Sequence, residues 1–159
     1  MARKGRTIIK KIEPDPIYKN CTVTKLINRS MKDGKKSVAQ KEVYKAFEII
    51  KEKTNEDPIQ VFEKAMDNIK PTMEVRPRRI GGAAYQVPMS VRGTRRESLG
   101  IRWLILAARD RSNSEFHTFA EKLAVEIMDS AKGEGAAVKK RLDVEKLAES
   151  NRAFAHFKW

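Results

Sequence analysis

Arginine is concentrated in one part of this chain, where its chemistry suits binding to anions. Residues 73–102 hold seven basic residues, all of them arginine, and only two acidic residues, Glu74 and Glu97. The guanidinium group is planar, always charged and forked, and it matches phosphate oxygens and base edges. The pattern indicates recognition of a polyanion. The alternative is a solvated hairpin whose arginines serve solubility, although such a ribbon would more naturally mix both charge signs and use lysine.

The same part of the chain has the pattern of a two-stranded β-hairpin. Helical periodicity stops at Pro71 and resumes near Thr94, and the residues between them include several of strand-forming type. Gly81 and Gly82 can both take the positive φ that a tight hairpin turn needs. We therefore expect a hairpin over residues 72–92, placed between the third and fourth helices.

The turn fixes which residues of the two strands face each other. It predicts two cross-strand pairs, which are Arg78 with Tyr85 and Arg76 with Val87. Cross-strand partners share a face, so Tyr85 would lie beside a guanidinium. Pro77 and Pro88 each remove a ladder donor, which only edge strands tolerate. A two-stranded ribbon is marginal alone in water, so we expect it to project from the bundle and to be held by a polyanion.

Composition extends the same argument to the whole chain. The 159 residues carry a formal net charge of +13, which favours a nucleic acid or an anionic membrane as partner. No apolar run is long enough for a transmembrane helix. Cys21 is the only cysteine, so an intramolecular disulfide is impossible, and no secretory signal is recognisable. We expect a cytosolic protein with a single domain over residues 1–159.

The N-terminal part predicts a second basic element. Pro14 and Pro16 disfavour a helix, so residues 1–18 are expected to form an extended arm. Its alternative is a disordered tail that only improves solubility. The arm is basic through five side chains, which are Arg3, Lys4, Arg6, Lys10 and Lys11.

Apolar periodicity in the rest of the chain predicts a six-helix bundle, with a C-terminal tail over 151–159. The expected helices cover residues 20–32, 37–53, 58–70, 94–111, 114–132 and 136–150. Capping boxes are expected at two helix starts, from Asp57 with Gln60 and from Thr94 with Glu97. The fourth helix is apolar around most of its circumference, which predicts a central position. Several apolar residues are expected to face inward, among them Val38, Leu99, Trp103, Leu106, Leu142 and Leu147.

The residue types needed for catalysis are sparse. His117 and His156 are the only histidines, and neither lies in a metal-ligand pattern. The segment from Gly34 to Ser37 resembles the end of a phosphate-binding loop but lacks the upstream glycine and a preceding strand. We therefore expect no enzyme activity, no cofactor and no metal.

Several segments resemble one known family over almost the whole chain. RPRRIGGAAYQVPMSVRGTRRESLGIRWL (76–104), DPIYKN (15–20), MKDGKKSVA (31–39) and the GAAVKKR and AESNRAFAHFKW parts of 135–159 are similar to the small-subunit ribosomal protein seven family, of bacterial and organellar type. The resemblance implies a helical bundle with a β-hairpin arm. It also implies a structural role as a primary binder of small-subunit rRNA that nucleates assembly of the head and lies near the exit-site tRNA.

The resemblance also implies which residues do this work. RNA contacts are expected from the arm residues above and from Lys35, Lys36, Arg76, Arg78, Arg79, Tyr85, Arg92, Arg95, Arg96, Arg102, Lys139, Lys140 and Arg141. The hairpin tip and the C-terminal end are expected near tRNA and a neighbouring ribosomal protein, through Gly81, Gly82, Arg152, Phe154, His156 and Trp159. Two departures from the family pattern are Ser90, where a glutamate is common, and Gly93-Thr94, where a proline precedes a polar residue.

Three functions stay open on the sequence alone. The first is a structural ribosomal protein, in the cytoplasm or in an organelle. Its partners would be rRNA and neighbouring proteins, and we expect no membrane partner. The second is a free-standing RNA-binding repressor of translation, acting on its own messenger. The third is an RNA-modifying enzyme, but the sequence contains no recognisable cofactor loop or nucleophile–base pair to support it. Sedimentation with small ribosomal subunits would separate the first from the second.

Overall fold

The computed structural model describes residues 12–157, and within them it confirms a mainly α fold with a hairpin between the third and fourth helices. In chain order the elements are α1 (Cys21–Ser30), α2 (Lys36–Thr54), α3 (Pro58–Ile69), β1 (Met73–Ile80), β2 (Ala83–Ser90), α4 (Gly93–Asp110), α5 (Phe119–Lys132), α6 (Ala136–Ser150) and a 3₁₀-helix (Arg152–Phe157). None of the helices in this range is long and apolar enough to cross a membrane.

Helix starts follow side-chain caps, but only some of them are the predicted ones. Asp57 caps α3 by accepting a hydrogen bond from the Ile59 N–H, while no return bond from Gln60 is seen within residues 12–157. The capping box expected from Thr94 and Glu97 does not form, because α4 already begins at Gly93, which places Thr94 inside the first turn. The Glu97 carboxylate is bonded to α1 instead. A capping box that the sequence analysis missed starts α5, from Thr118 and Glu121.

The core is built around α5 rather than α4. α5 packs against α2, α3 and α4, and buried residues lie on most of its circumference. α4 instead turns Ile101, Leu104 and Ile105 inward and leaves one side to solvent. The expectation of inward positions was wrong for four leucines and valines, each about half exposed, namely Val38, Leu106, Leu142 and Leu147.

The two strands pair in the predicted register. Gly81 and Gly82 have φ of +56° and +92°, and Arg78 lies opposite Tyr85. The expected projection holds only for the outer part of the ribbon, because its base packs on α6 and its middle packs on the 3₁₀-helix through Tyr85. Val87 is fully buried there. Packing against the C-terminal elements therefore holds the ribbon, where the sequence analysis expected a polyanion alone to do so.

The joint between the ribbon and α4 depends on a glycine. Gly93 has φ of +55°, which is in the left-handed region and is closed to proline. The joint of this chain therefore differs in backbone conformation from one that carries a proline at this position.

The last part of the predicted N-terminal arm is anchored to the bundle. The Asp15 side chain is buried and accepts hydrogen bonds from the backbone N–H groups of Ile17 and Tyr18. Its other oxygen accepts a hydrogen bond of 2.8 Å from the Tyr44 hydroxyl. The buried Asp15 thus anchors a turn over residues 16–18, while residues 1–11 lie outside the described part of the chain.

Candidate nucleic-acid interface

α1 and α4 lie side by side and run in the same direction. Near the start of both helices, the Thr22 hydroxyl donates a 2.9 Å hydrogen bond to Glu97. Near their ends, Arg109 Nη2 donates a 2.9 Å hydrogen bond to the Ser30 carbonyl, the last carbonyl of α1. A cation at this position also complements the dipole of α1. Two ordered contacts therefore fix the spacing between the helices.

The surface between these helices is a basic groove. Its basic side chains come from both helices and together define what we call the α1–α4 groove, namely Lys25, Arg29, Arg95, Arg102 and Arg109. The three arginines of α4 recur every seven residues, which places them on one face at intervals of roughly 10 Å. Arg29 and Arg102 form no ion pair with any residue in the range 12–157.

The Glu97 carboxylate lies beside the groove, and its charge is offset by a lysine. Glu97 forms an ion pair with Lys25 and accepts the hydrogen bond from Thr22. Burial alone would raise the pKa of Glu97, but the bonds from Lys25 and Thr22 outweigh it and hold the pKa below its ordinary value. The carboxylate therefore stays ionised and paired, and the rest of the groove presents positive charge.

The loop before α2 extends this basic surface. Lys32 and Lys35 line a depression that also contains Arg109, so the loop adjoins the end of the α1–α4 groove. Lys35 and Lys36 are exposed at the start of α2. No side chain among the described residues caps α2, and its first turn has no acidic residue. The N-terminus of α2 therefore adds to the positive potential of this surface.

A buried glutamate links the ribbon to the groove. Glu74 Oε1 accepts a 2.5 Å hydrogen bond from Arg76 Nε, and both of its oxygens accept from Arg95 Nε, at 2.9 and 2.8 Å. Burial alone would raise the pKa of Glu74, but the bonds from Arg95 and Arg76 outweigh it and lower the pKa. Arg95 thus belongs to both the ribbon base and the groove.

The other predicted arginines of this region have different surroundings. Arg79 and Arg92 are exposed, whereas Arg78 and Arg96 are half buried. Arg96 Nε has no hydrogen-bond partner in the part of the chain that the structure describes. Despite the burial of Glu145 in α6, the positive charge of Arg96 helps to lower the pKa of that carboxyl group. These four arginines therefore include two that face solvent and two that are partly covered by the protein.

The basic start of α6 is not part of the groove. Lys139 and Lys140 are exposed, but neither lines the groove, and Arg141 Nε lies 3.9 Å from the Glu145 carboxylate. The N-terminus of α6 is occupied by protein, because Glu126 of α5 accepts a 2.9 Å hydrogen bond from the Ala137 N–H. RNA contacts by this segment stay a prediction.

The residues expected near tRNA divide into three groups. Gly81 and Gly82 are exposed at the hairpin tip, and Arg152 is exposed on the 3₁₀-helix. Phe154 packs on Tyr85, with 5.2 Å between ring centroids, and His156 lies 3.9 Å from the Phe157 ring. Trp159 and the five basic arm residues Arg3, Lys4, Arg6, Lys10 and Lys11 lie outside the described residues.

The sequence analysis missed four basic residues of this surface, which are Lys25, Arg29, Lys32 and Arg109. Two signals were available in the sequence. Lys25 and Arg29 are four residues apart on one helix face, and Arg109 continues the seven-residue spacing of Arg95 and Arg102. Arg102, which the resemblance placed among the RNA contacts, lies beside Arg29 of α1.

Comparison with known proteins places the chain in a family. The model of the family described as ribosomal protein S7p/S5e matches residues 2–152. Proteins named small ribosomal subunit protein uS7 are similar to it over their full length and all of this chain, with 57% identity in Caldicellulosiruptor bescii, 56% in Carboxydothermus hydrogenoformans and 55% in Clostridium kluyveri. These matches cover almost the whole chain, and the chain therefore belongs to the ribosomal protein S7p/S5e family.

Proposed function

We propose that this protein is a structural, non-catalytic constituent of the small ribosomal subunit that binds rRNA through the α1–α4 groove and the ribbon. The relatives named above are small-subunit proteins, which supports the proposal that this protein belongs to the small subunit. The observation that carries the RNA contact is the alignment of Arg95, Arg102 and Arg109 on one face of α4, with Arg29 of α1 beside them.

The mechanism is charge neutralisation on a preformed surface. Each guanidinium offers up to five donors and can bind a phosphate through two of them. Arginines that neutralise RNA phosphates release condensed counterions, which supplies affinity without reading the base sequence. The shape of the groove and of the ribbon would then select a folded RNA, as is common where bases are not read directly.

The finer role follows from the family and is part of the same proposal. The protein would bind the RNA of the head early, nucleate assembly of that part and remain near the exit-site tRNA. The exposed hairpin tip and Arg152 of the 3₁₀-helix are available for tRNA or for a neighbouring ribosomal protein. The protein would then be found with ribosomes in the cytoplasm.

The test is binding of the full chain to the rRNA fragment that forms the head. We expect tight, saturable binding that weakens steeply with salt, and sedimentation of the protein with small subunits in extracts. Binding that is indifferent to salt would contradict the electrostatic mechanism. A protein found with its own messenger and absent from small subunits would instead support a free-standing repressor.

A further inference from the structure

Glu74 is a buried carboxylate within a basic surface. It lies on β1 at the base of the ribbon and binds Arg76 of the same strand and Arg95 of α4. Its side chain is only 9% exposed, whereas those of Arg76 and Arg95 are 42% and 51% exposed. The carboxylate therefore holds two guanidinium groups that remain open to solvent on their other sides.

The hydrogen bonds define how each arginine is held. Arg76 donates through Nε, and Arg95 donates through Nε and is paired through Nη2 at 2.7 Å from Oε2. Each guanidinium has five N–H donors, so both keep unused donors after these bonds. The two cations can lie close together because one carboxylate offsets their mutual repulsion.

We propose that Glu74 is a positioning residue for RNA binding, which fixes Arg76 and Arg95 in advance as a paired clamp for the phosphodiester backbone. The inference rests on the proposed function. A free arginine side chain loses rotamer freedom when it binds a phosphate, and a side chain ordered beforehand avoids most of that loss. Glu74 thus raises affinity for a polyanion although it is itself an anion.

This proposal and simple electrostatics predict opposite signs for one substitution. If only net charge mattered, Glu74→Gln would strengthen RNA binding because it removes a negative charge near phosphates. If Glu74 positions the two arginines, the same change weakens binding. Ordering one long side chain costs a factor of roughly two to ten, so we expect about a tenfold weaker affinity for two.

The experiment measures binding of the full chain to the head rRNA fragment at fixed salt. Glu74→Gln is compared with Glu52→Gln, which removes an exposed acidic residue of α2 that forms no ion pair with residues 12–157. We expect weaker binding for Glu74→Gln and unchanged or slightly tighter binding for Glu52→Gln. Equal or tighter binding of folded Glu74→Gln would overturn the proposal.

A double-mutant cycle separates positioning from general damage. In an Arg76→Ala/Arg95→Ala background, Glu74→Gln has nothing left to position, so it should no longer weaken binding. A loss that persists in that background would show that Glu74 acts through the fold and would overturn the proposal.

A measurement on the unsubstituted chain covers the case in which Glu74→Gln fails to fold. The Nε–H signals of Arg76 and Arg95, assigned with single Arg→Lys variants, should exchange slowly with solvent in free protein. Fast exchange of both would show that the clamp is not preformed. Unsubstituted chain that fails to bind the RNA fragment would overturn the proposed function as well, whereas normal binding with an ineffective Glu74→Gln overturns this inference alone.

Discussion

The ring of Tyr85 lies 5.2 Å from the ring of Phe154, and this contact joins the middle of the ribbon to the C-terminal 3₁₀-helix. Phe157 adds a second ring at 5.6 Å. Such pairs contribute roughly 0.5–1.5 kcal/mol beyond the area that they bury. Tyr85 therefore stabilises the C-terminal segment, a role that the sequence did not reveal, and any stacking of Tyr85 on a base stays a prediction.

Removing the Tyr85 ring should release the C-terminal segment. We expect Tyr85→Ala to speed amide hydrogen exchange in the 3₁₀-helix, for example at Phe154, whose N–H is bonded to the Asn151 carbonyl. Tyr85→Phe keeps the ring and should leave exchange almost unchanged. Equal exchange in Tyr85→Ala and in the unsubstituted chain would show that the aromatic contact does not hold this segment.

The ribbon shows why register is easier to predict than docking. The glycine pair at 81–82 fixes the turn by local geometry, and the turn then fixes every cross-strand pair. Docking depends on residues about 70 positions later, such as Phe154, and no local pattern encodes that distance. The charge balance likewise counted Glu74 only as an acid, since its partner Arg95 is 21 residues away.

A second prediction concerns Glu126, whose side chain is fully buried. It accepts hydrogen bonds from the Ala137 N–H at 2.9 Å and from Arg111 Nε at 2.8 Å, so it joins the α6 terminus to the loop after α4. Glu126→Ala would leave the partly buried Arg111 guanidinium with one fewer partner and the buried Ala137 N–H without one. We expect a loss of about 3–5 kcal/mol in the free energy of unfolding, measured with denaturant.

The matched control for this prediction is Glu134→Ala, which truncates an exposed glutamate close to the same helix terminus. Its effect should stay within about 0.5 kcal/mol. If Glu126→Ala were as mild as the control, Asp129 alone, which lies 2.5 Å from Arg111 Nη2, would be sufficient to satisfy Arg111.

The positions of the helices along the chain were predicted better than the side of each helix that is buried. α6 was predicted with its observed ends, yet its buried side is formed by Ala137, Val138 and Ala148 rather than by its leucines. α4 is apolar on most sides, so the period alone could not choose its inner face. The choice is made by packing against α5, and the sequence of α4 by itself does not encode which of its sides meets that helix.

A third prediction is acid sensitivity at the contact between α1 and α4. The pKa of Glu97 is lowered in the folded state from its ordinary value of 4.5, since the bonds from Lys25 and Thr22 outweigh burial. The unfolded chain then binds more protons than the folded chain in the acid range. The stabilisation is fully present above pH 4.5 and is lost as the pH falls through the folded-state pKa.

Unfolding measured at several pH values checks this prediction. Glu97→Gln should cost about 1–3 kcal/mol at neutral pH, and its difference from the unsubstituted chain should shrink below pH 4.5. Lys25→Met removes the partner and should reproduce part of the same pH dependence. A difference that is constant with pH would mean that the carboxylate charge does not contribute to stability.

The basic surface was predicted in part, for a reason that can be stated physically. Local charge density indicated the ribbon arginines, because neighbours in sequence are neighbours in space, whereas Lys35 and Lys36 came only from the resemblance to the family. Arg29 was missed because it joins Arg102 only after α1 packs beside α4. A seven-residue spacing on α4 was available as a signal, but it does not show which helix lies opposite.

The last prediction tests the groove through the salt dependence of RNA binding. Arg29 and Arg102 face each other across the α1–α4 groove, and neither forms an ion pair with another described residue. Their substitution by alanine should therefore leave the fold stable. If each binds one phosphate, each substitution should reduce the slope of log affinity against log salt by about one. The double variant should reduce this slope by about two.

Lys53→Ala is the matched control for charge. Lys53 is exposed in the last turn of α2, whereas Lys35, just before the first turn, adjoins the groove, so the helix separates them by roughly 27 Å. Lys53→Ala should leave the slope unchanged, because its charge is distant compared with a screening length of about 8 Å at physiological salt. If Lys53→Ala and Arg102→Ala changed the slope equally, RNA would sense only net charge, and the groove would not be the binding surface.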